Sequence, residues 1–194
     1  MPRPRTVSDE AILACAARVV GEVGPARLTL ALVARAAGLA PPSLVQRFGS
    51  KRQLLLAFSA QASAGVDEAF AAARAAHRSP LATLLADPLG ATRAMRSPEE
   101  LAHHLALLQL ELADPDFHPH VLAHGRSARR AIRRLLDEAV DAGELIACDT
   151  ARLADAVHVT YNGALVTWAI FRRGSLATWL RRELEFVLEP YRRR

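Results

Sequence analysis

The chain has 194 residues, 51% of them hydrophobic and only 5% aromatic, so it is long enough to bury a core of one or two domains. Its formal charge is +5, and two cysteines are too few for a disulfide framework. No apolar run approaches the roughly 18 residues that a membrane span requires, and Met1-Pro2-Arg3-Pro4-Arg5 offers no apolar h-region for a secretory signal. A cytoplasmic protein with no membrane partner is expected.

Ala, Leu and Arg, all strong helix formers, dominate, and strand-like alternation is missing, so the fold is expected to be all-α. The first helix is predicted over about 8–23, opened by Ser8 with Asp9 and Glu10 at its positive end and closed by Gly24. Cys15 falls inside it as a small core residue. Thr29 is the N-cap of a second helix, in which Leu30, Val33 and Ala34 recur at one-turn spacing. Ala34 and Ala37 are small where another helix must cross closely. Gly38 supplies the left-handed conformation of a sharp turn. Pro41 and Pro42 fit only the first turn of a third helix. That helix turns Leu44 and Phe48 inward and leaves Ser43, Gln46 and Arg47 outside. Ser50 and Gln53 form a capping-box pattern, so a fourth helix starts at Lys51 and is expected to run unbroken to about His77.

Short helices are predicted at 81–86 and 88–95. Ser97-Pro98-Glu99-Glu100 opens another that ends near Asp114-Pro115, with Leu101, Leu105, Leu108 and Leu112 as its apolar stripe. Further helices are expected over roughly 117–142, over 149–173 with Asp149 as cap, and over 175–189 with Ser175 as cap. The last three arginines, Arg192 to Arg194, read as a frayed tail. The fourth helix is expected to join a head, residues 1–50, to a body, residues 51–194, without a flexible tether.

A helix, a glycine turn and a second helix with a polar outer face form the helix-turn-helix layout, whose second helix enters the DNA major groove. Charge agrees with it. Residues 1–60 hold eight basic side chains, Arg3 and Arg5 among them, against three acids, while residues 61–194 hold 17 of each. A basic head on a neutral body is the electrostatic footprint of a DNA-binding domain attached to another kind of domain.

These residues resemble the tetracycline-repressor (TetR) family of bacterial regulators. The matching positions run from Ile12-Leu13 through Gly24, Thr29, Val33-Ala34, Ala37-Gly38-Leu39, Ser43-Leu44 and Phe48 to Ser50-Lys51 and Leu54-Leu55, a quarter of the chain. Two positions depart from the family pattern. Val45 stands where many relatives carry an aromatic residue, and Ala40 where many carry a capping Ser or Thr.

The resemblance implies a homodimeric repressor of palindromic operators, released when a small molecule enters the body and shifts the fourth helix. Double-stranded operator DNA and an unidentified effector are then the partners, with a second copy joined through the helices at 149–173 and 175–189. Ala156, Gly163 and Ala164 would let those helices approach closely. Gln46 and Arg47 are expected at base edges, with Pro42 and Ser43 beside them, and Lys51 and Thr29 at phosphates. Helical faces suggest His104, Leu108, Glu111, Tyr161, Asn162 and Leu165 as effector-lining positions. The competing reading is a helical sensor or enzyme whose N-terminal helices dock a protein.

Neither catalysis nor a cofactor is expected. No nucleophile motif or phosphate-cradling glycine loop occurs. Of His118, His120 and His124, the last two at i, i+4 could share a helical face as a ligand pair, but no third ligand is defined beside them, so no metal is expected either. The arginines at 126, 129, 130, 133 and 134 read as a solvated face paired with Asp137, Glu138 and Asp141 one turn on.

Overall fold

The computed structural model describes residues 7–87 and 89–193. Arg3, Arg5 and the Met1–Arg5 run, Pro88 at the start of an expected helix, and Arg194 of the tail lie outside the described residues.

The described elements are helical: α1 (Asp9–Arg27), α2 (Leu30–Ala36), α3 (Pro41–Phe48), α4 (Lys51–Ala64), α5 (Val66–Ala76), α6 (Pro80–Leu85), α7 (Ala91–Ala94), α8 (Pro98–Ala113), α9 (His118–Asp141), α10 (Thr150–Phe171) and α11 (Leu176–Leu188), followed by a 3-10 turn over Glu189–Tyr191. The all-α expectation holds. Side-chain caps start many of these helices, because Ser, Thr and Asp oxygens satisfy N–H groups that have no intrahelical partner. Ser8 accepts from the Ala11 N–H at 3.2 Å, Ser50 from Gln53 at 3.2 Å and Ser97 from Glu100 at 3.1 Å. Asp149 accepts from Ala151 and Arg152, each at 3.1 Å, and Ser175 from Thr178 at 3.2 Å.

Packing groups the chain otherwise than a cut at residue 50. Residues through Ser63 join Ala102–Val121 in one compact unit, and Ala64–Leu101 join Leu122–Arg194 in another. The first, the head unit, is centred on Ile12, Ala16 and Val20 of α1, Val33 and Ala34 of α2, Leu44 of α3 and Leu54 of α4. Leu107 and Phe117 complete this core, which is why the unit needs a segment so distant in sequence. His103 of α8 reinforces the join: its Nδ1 bonds the Gly21 carbonyl at 2.6 Å, and its ring fills the bend of α1. A Cβ at Gly24, where φ is +76°, would lie 2.9 Å from His103 Cδ2, so only glycine fits there. In the second, the body unit, Leu176, Leu180, Leu184 and Leu188 bury one stripe of α11, and Leu153, Val157, Ala164 and Trp168 one stripe of α10.

The structure corrects several expectations. The fourth helix is not continuous to His77; it breaks at Gly65, between α4 and α5. Glycine is a poor helix former, and two residues earlier the Ser63 hydroxyl donates to the Ala60 carbonyl at 2.8 Å, a local bond that competes with the helical ladder. On α8, Leu107 is buried while Leu112 is 59% exposed, so the buried face is rotated from the expected stripe. The tail does not fray at Arg192 and Arg193. Leu145 and Arg192 form an antiparallel bridge, the Ile146 N–H donates to the Tyr191 carbonyl at 2.8 Å, and the Arg193 N–H donates to the Glu144 carbonyl at 3.1 Å. On α9 only Arg133 pairs along its own helix, with Asp137 at 3.8 Å. Arg134 pairs instead with Asp67 of α5 and Arg129 with Asp155 of α10, while Glu138 takes Arg74.

No described helix is long and apolar enough to cross a membrane. No three His, Cys, Asp or Glu side chains stand together as a metal site among the described residues.

Candidate nucleic-acid interface and ligand cavity

Helices α2 and α3 meet through a turn at Gly38, where φ is +68°. The Leu39 N–H reaches back to the Ala34 carbonyl at 2.8 Å and closes the end of α2. Thr29 caps α2, its hydroxyl accepting from the Leu32 N–H at 3.2 Å. Ala40 offers α3 no side-chain cap, and Pro41 and Pro42 remove two N–H groups that would otherwise be orphaned. Leu44 is fully buried, so the rest of α3 is turned outward: Pro42, Val45, Gln46 and Arg47 are exposed and Ser43 is half-buried. The outer face is therefore short and polar, with Val45 as its apolar member.

Most cations of the head unit are engaged. Arg47 Nη1 donates to the Val7 carbonyl at 2.5 Å, and its Nε lies 3.5 Å from the Asp9 carboxylate. Lys51 Nζ donates to the Ala26 carbonyl at 2.7 Å, at the C-terminal end of α1. Arg18 bonds the Ala36 carbonyl at 3.2 Å and Arg27 the Val23 carbonyl at 3.0 Å. Arg52 bridges Asp114 and Asp116 at 2.9 and 2.8 Å and lies over the Phe117 ring. The Asp116 and Asp114 carboxylates raise its pKa, and the Asp116 backbone N–H, with Arg52 behind it, holds that of Asp114 below the usual range. Arg35 is exposed and has no polar partner among the described residues.

Charge in the head unit is more balanced than the N-terminal sequence implies. Residues 7–63 carry six Lys or Arg and three acids, but 102–121 add Glu111, Asp114 and Asp116 and no Lys or Arg. Thr29 caps α2, Pro42, Ser43, Gln46 and Arg47 lie on α3 and Lys51 opens α4; the sequence pattern could not show that Arg47 and Lys51 are held by backbone carbonyls.

The six effector-lining positions divide between the two units. His104, Leu108 and Glu111 belong to the head unit, where Glu111 accepts from the Ser59 hydroxyl. Tyr161, Asn162 and Leu165 belong to the body unit. Tyr161 and Leu165 are buried, while Asn162 is exposed and donates to the His158 carbonyl one turn back. Tyr161 alone of the six borders a cavity of about 360 Å³ in the body unit, in which Leu85, Asp87, Thr92, Leu180 and Leu184 also take part. No sequence pattern singles out Asp87. The Asp87-Pro88-Leu89-Gly90 run signals a turn, and nothing local signals burial against a tyrosine 74 positions away.

A short helix pair with a glycine turn and an outward polar second helix, set on an all-helical fold, defines the class of one-component helix-turn-helix regulators. Residues 12–58 match the model of the bacterial regulatory proteins of the tetR family. None of the curated proteins matches the chain. Solved structures agree on the fold. A TetR transcription regulator of Haloarcula marismortui is 16% identical, with a TM-score of 0.75 over 95% of this chain and 98% of that one. A TetR-family regulator of Agrobacterium tumefaciens is 21% identical, with a TM-score of 0.70 over 95% and 97%. SmeT, the repressor of a multidrug efflux pump of Stenotrophomonas maltophilia, is 22% identical, with a TM-score of 0.62 over 96% and 91%. SmeT has also been solved in complex with triclosan.

Proposed function

We propose that the protein is a homodimeric repressor that binds palindromic operators and leaves them when a small molecule enters the body unit. The observation that carries this reading is the α2–Gly38–α3 unit, whose buried Leu44 turns Gln46 and Arg47 outward. Gln46 and Arg47 read base edges, and Pro42 and Ser43 lie against the same groove. Thr29 and Lys51, in the first turns of their helices, take phosphates. Arg47 and Lys51 exchange their carbonyl partners for DNA, so part of their binding energy is offset by the bonds they give up.

Dimerisation is supported by the outer face of α10 and α11. Val159, Val166 and Ile170 recur at helical spacing on α10 and are exposed, as are Phe171 and, on α11, Phe186 at 78%. Exposed apolar surface gathered on two adjacent helices marks an interface. Two copies would carry their recognition helices to successive major grooves, about 34 Å apart.

Effector release follows from linkage. A ligand that binds the DNA-incompetent state more tightly weakens DNA binding, and DNA weakens the ligand by the same factor. The triclosan complex of the structurally similar SmeT supports a body that accepts small molecules.

A mobility-shift assay with the region upstream of the protein's own gene, run beside light scattering of the free protein, tests this reading. A palindrome-dependent shift from a species of two chains is expected. A monomer, or a shift indifferent to disruption of the palindrome, would overturn it.

A further inference from the structure

Asp87 is the unusual residue of the body unit. It stands between α6 and α7 at φ +56°, a left-handed backbone that Asp and Asn tolerate better than other side chains. It is only 7% exposed. Its Oδ1 accepts from the Tyr161 hydroxyl at 2.8 Å and its Oδ2 from the Thr92 N–H at 2.6 Å. Two donors aimed at two acceptor oxygens suit an ionised carboxylate, which still has lone pairs to spare. Burial first, and the Asp87 charge second, push the Tyr161 phenol well above its ordinary range, so Tyr161 remains a donor.

The carboxylate has no ion-pair partner among the described residues. Arg181 borders the same cavity but is committed to Glu185 at 3.0 Å. Arg93 acts on Tyr161 through space and forms no ion pair with Asp87. The Thr178 hydroxyl, also on the cavity, is bonded to that of Ser175 at 2.9 Å. What the cavity leaves unmatched is therefore one buried negative charge, next to the apolar Leu85, Leu180 and Leu184. Buried charges are found paired, and here the missing half of the pair faces a space of about 360 Å³, the size of a small organic ligand.

We propose that this cavity binds a small amphipathic amine, its ammonium group on the Asp87 carboxylate and its apolar body against Leu85, Leu180 and Leu184. That the cavity takes the amine does not rest on the repressor reading. The further step, that the amine is the effector, rests on the repressor reading above.

The test uses the full-length protein at pH 7 and three matched probes: 2-phenylethylamine, 2-phenylethanol and phenylacetate. Calorimetry is expected to give the amine an affinity at least about ten-fold above both others. Asp87→Asn, which keeps a side chain suited to the left-handed backbone, should bring the amine down to the level of the alcohol and leave the alcohol unchanged. Should that variant fail to fold, Tyr161→Phe retains the carboxylate and frees a lone pair, so it must keep the amine preference. Equal affinity for all three probes, a preference for phenylacetate, or no binding at millimolar amine overturns the proposal. Operator shifts on the same samples separate the two readings. Intact DNA binding without amine selectivity removes the amine site alone, and amine selectivity without DNA binding removes the repressor alone. Amine binding that leaves the operator complex intact keeps the site and removes its role as effector.

Discussion

The head unit and the α10–α11 pair treat their surfaces in opposite ways. In the head unit the large side chains Ile12, Leu44, Leu54 and Phe117 are buried, and five of the six described Lys and Arg side chains are tied to carbonyls or carboxylates. The α10–α11 pair buries one leucine stripe well and leaves Val159, Ile170, Phe171 and Phe186 in solvent. The contrast separates two kinds of unfinished business. In the head the cations already hold polar partners, which a polyanion would have to replace. The α10–α11 face leaves apolar area in water, which another apolar surface would relieve.

Five variants test this contrast, taken from the largest expected effect to the smallest. Leu44→Ala removes a fully buried side chain at the crossing of α3 with the head core and is expected to cost about 2–5 kcal/mol. A urea melt followed by circular dichroism measures it, and a loss below about 1 kcal/mol would mean that α3 is not anchored as described. The double variant Ile170→Glu, Phe186→Glu places charge on the open apolar face. Light scattering should find half the wild-type mass, with operator affinity reduced by about 2–4 kcal/mol. If the mass and affinity are unchanged, this face is not the interface.

Arg47→Ala should cost about 1–3 kcal/mol on the cognate operator and relax preference at one base position. An equal loss on random DNA would reassign Arg47 to the backbone. Lys51→Ala, by contrast, should weaken cognate and random DNA alike and lower the salt slope by about 1. Unchanged salt dependence would leave Lys51 with only its bond to the Ala26 carbonyl.

The smallest effect concerns pH. Burial, then the Arg129 charge and His124, lower the pKa of His158, with Asp155 opposing them; Asn162 lies 3.3 Å from its Nε2. A depressed folded value means that the unfolded chain takes the proton first. The stability tied to neutral His158 is thus full above the ordinary histidine value of about 6.5 and lost as pH falls through the folded one. The melting temperature should drop between pH 7.5 and 5.5, and His158→Gln should flatten part of that drop. An unaltered pH profile in the variant would show His158 to be as well solvated folded as unfolded.

What the sequence made legible is what local chemistry decides. Ser8, Thr29, Ser50, Ser97, Asp149 and Ser175 are caps in the sequence pattern and in the structure alike, because the N–H groups they satisfy lie two or three residues away. The turn at Gly38 and the inward Leu44 followed from the same kind of reasoning. Features decided at a distance were not legible. Leu107 is buried in place of Leu112 because α8 turns that face to a core built by α1 and α4, which a single-helix pattern does not contain. Arg192 and Arg193 are ordered by Glu144 and Ile146, and Asp87 is buried by a helix more than 60 residues downstream. Arg47 is withheld by Val7 and Asp9, on an element 40 residues earlier. Helical periodicity reveals which residues share a face, and tertiary partners decide what that face meets.

The most direct measurement of the central claim is the salt dependence of DNA binding by the full-length protein, with the upstream palindrome and a scrambled duplex compared by fluorescence anisotropy between roughly 50 and 300 mM salt. The expected result is a palindrome bound at least about 10³-fold more tightly than the scramble, with both affinities falling linearly in log–log form. Equal affinity for the two duplexes, or binding indifferent to salt, would contradict a sequence-reading head built on α3.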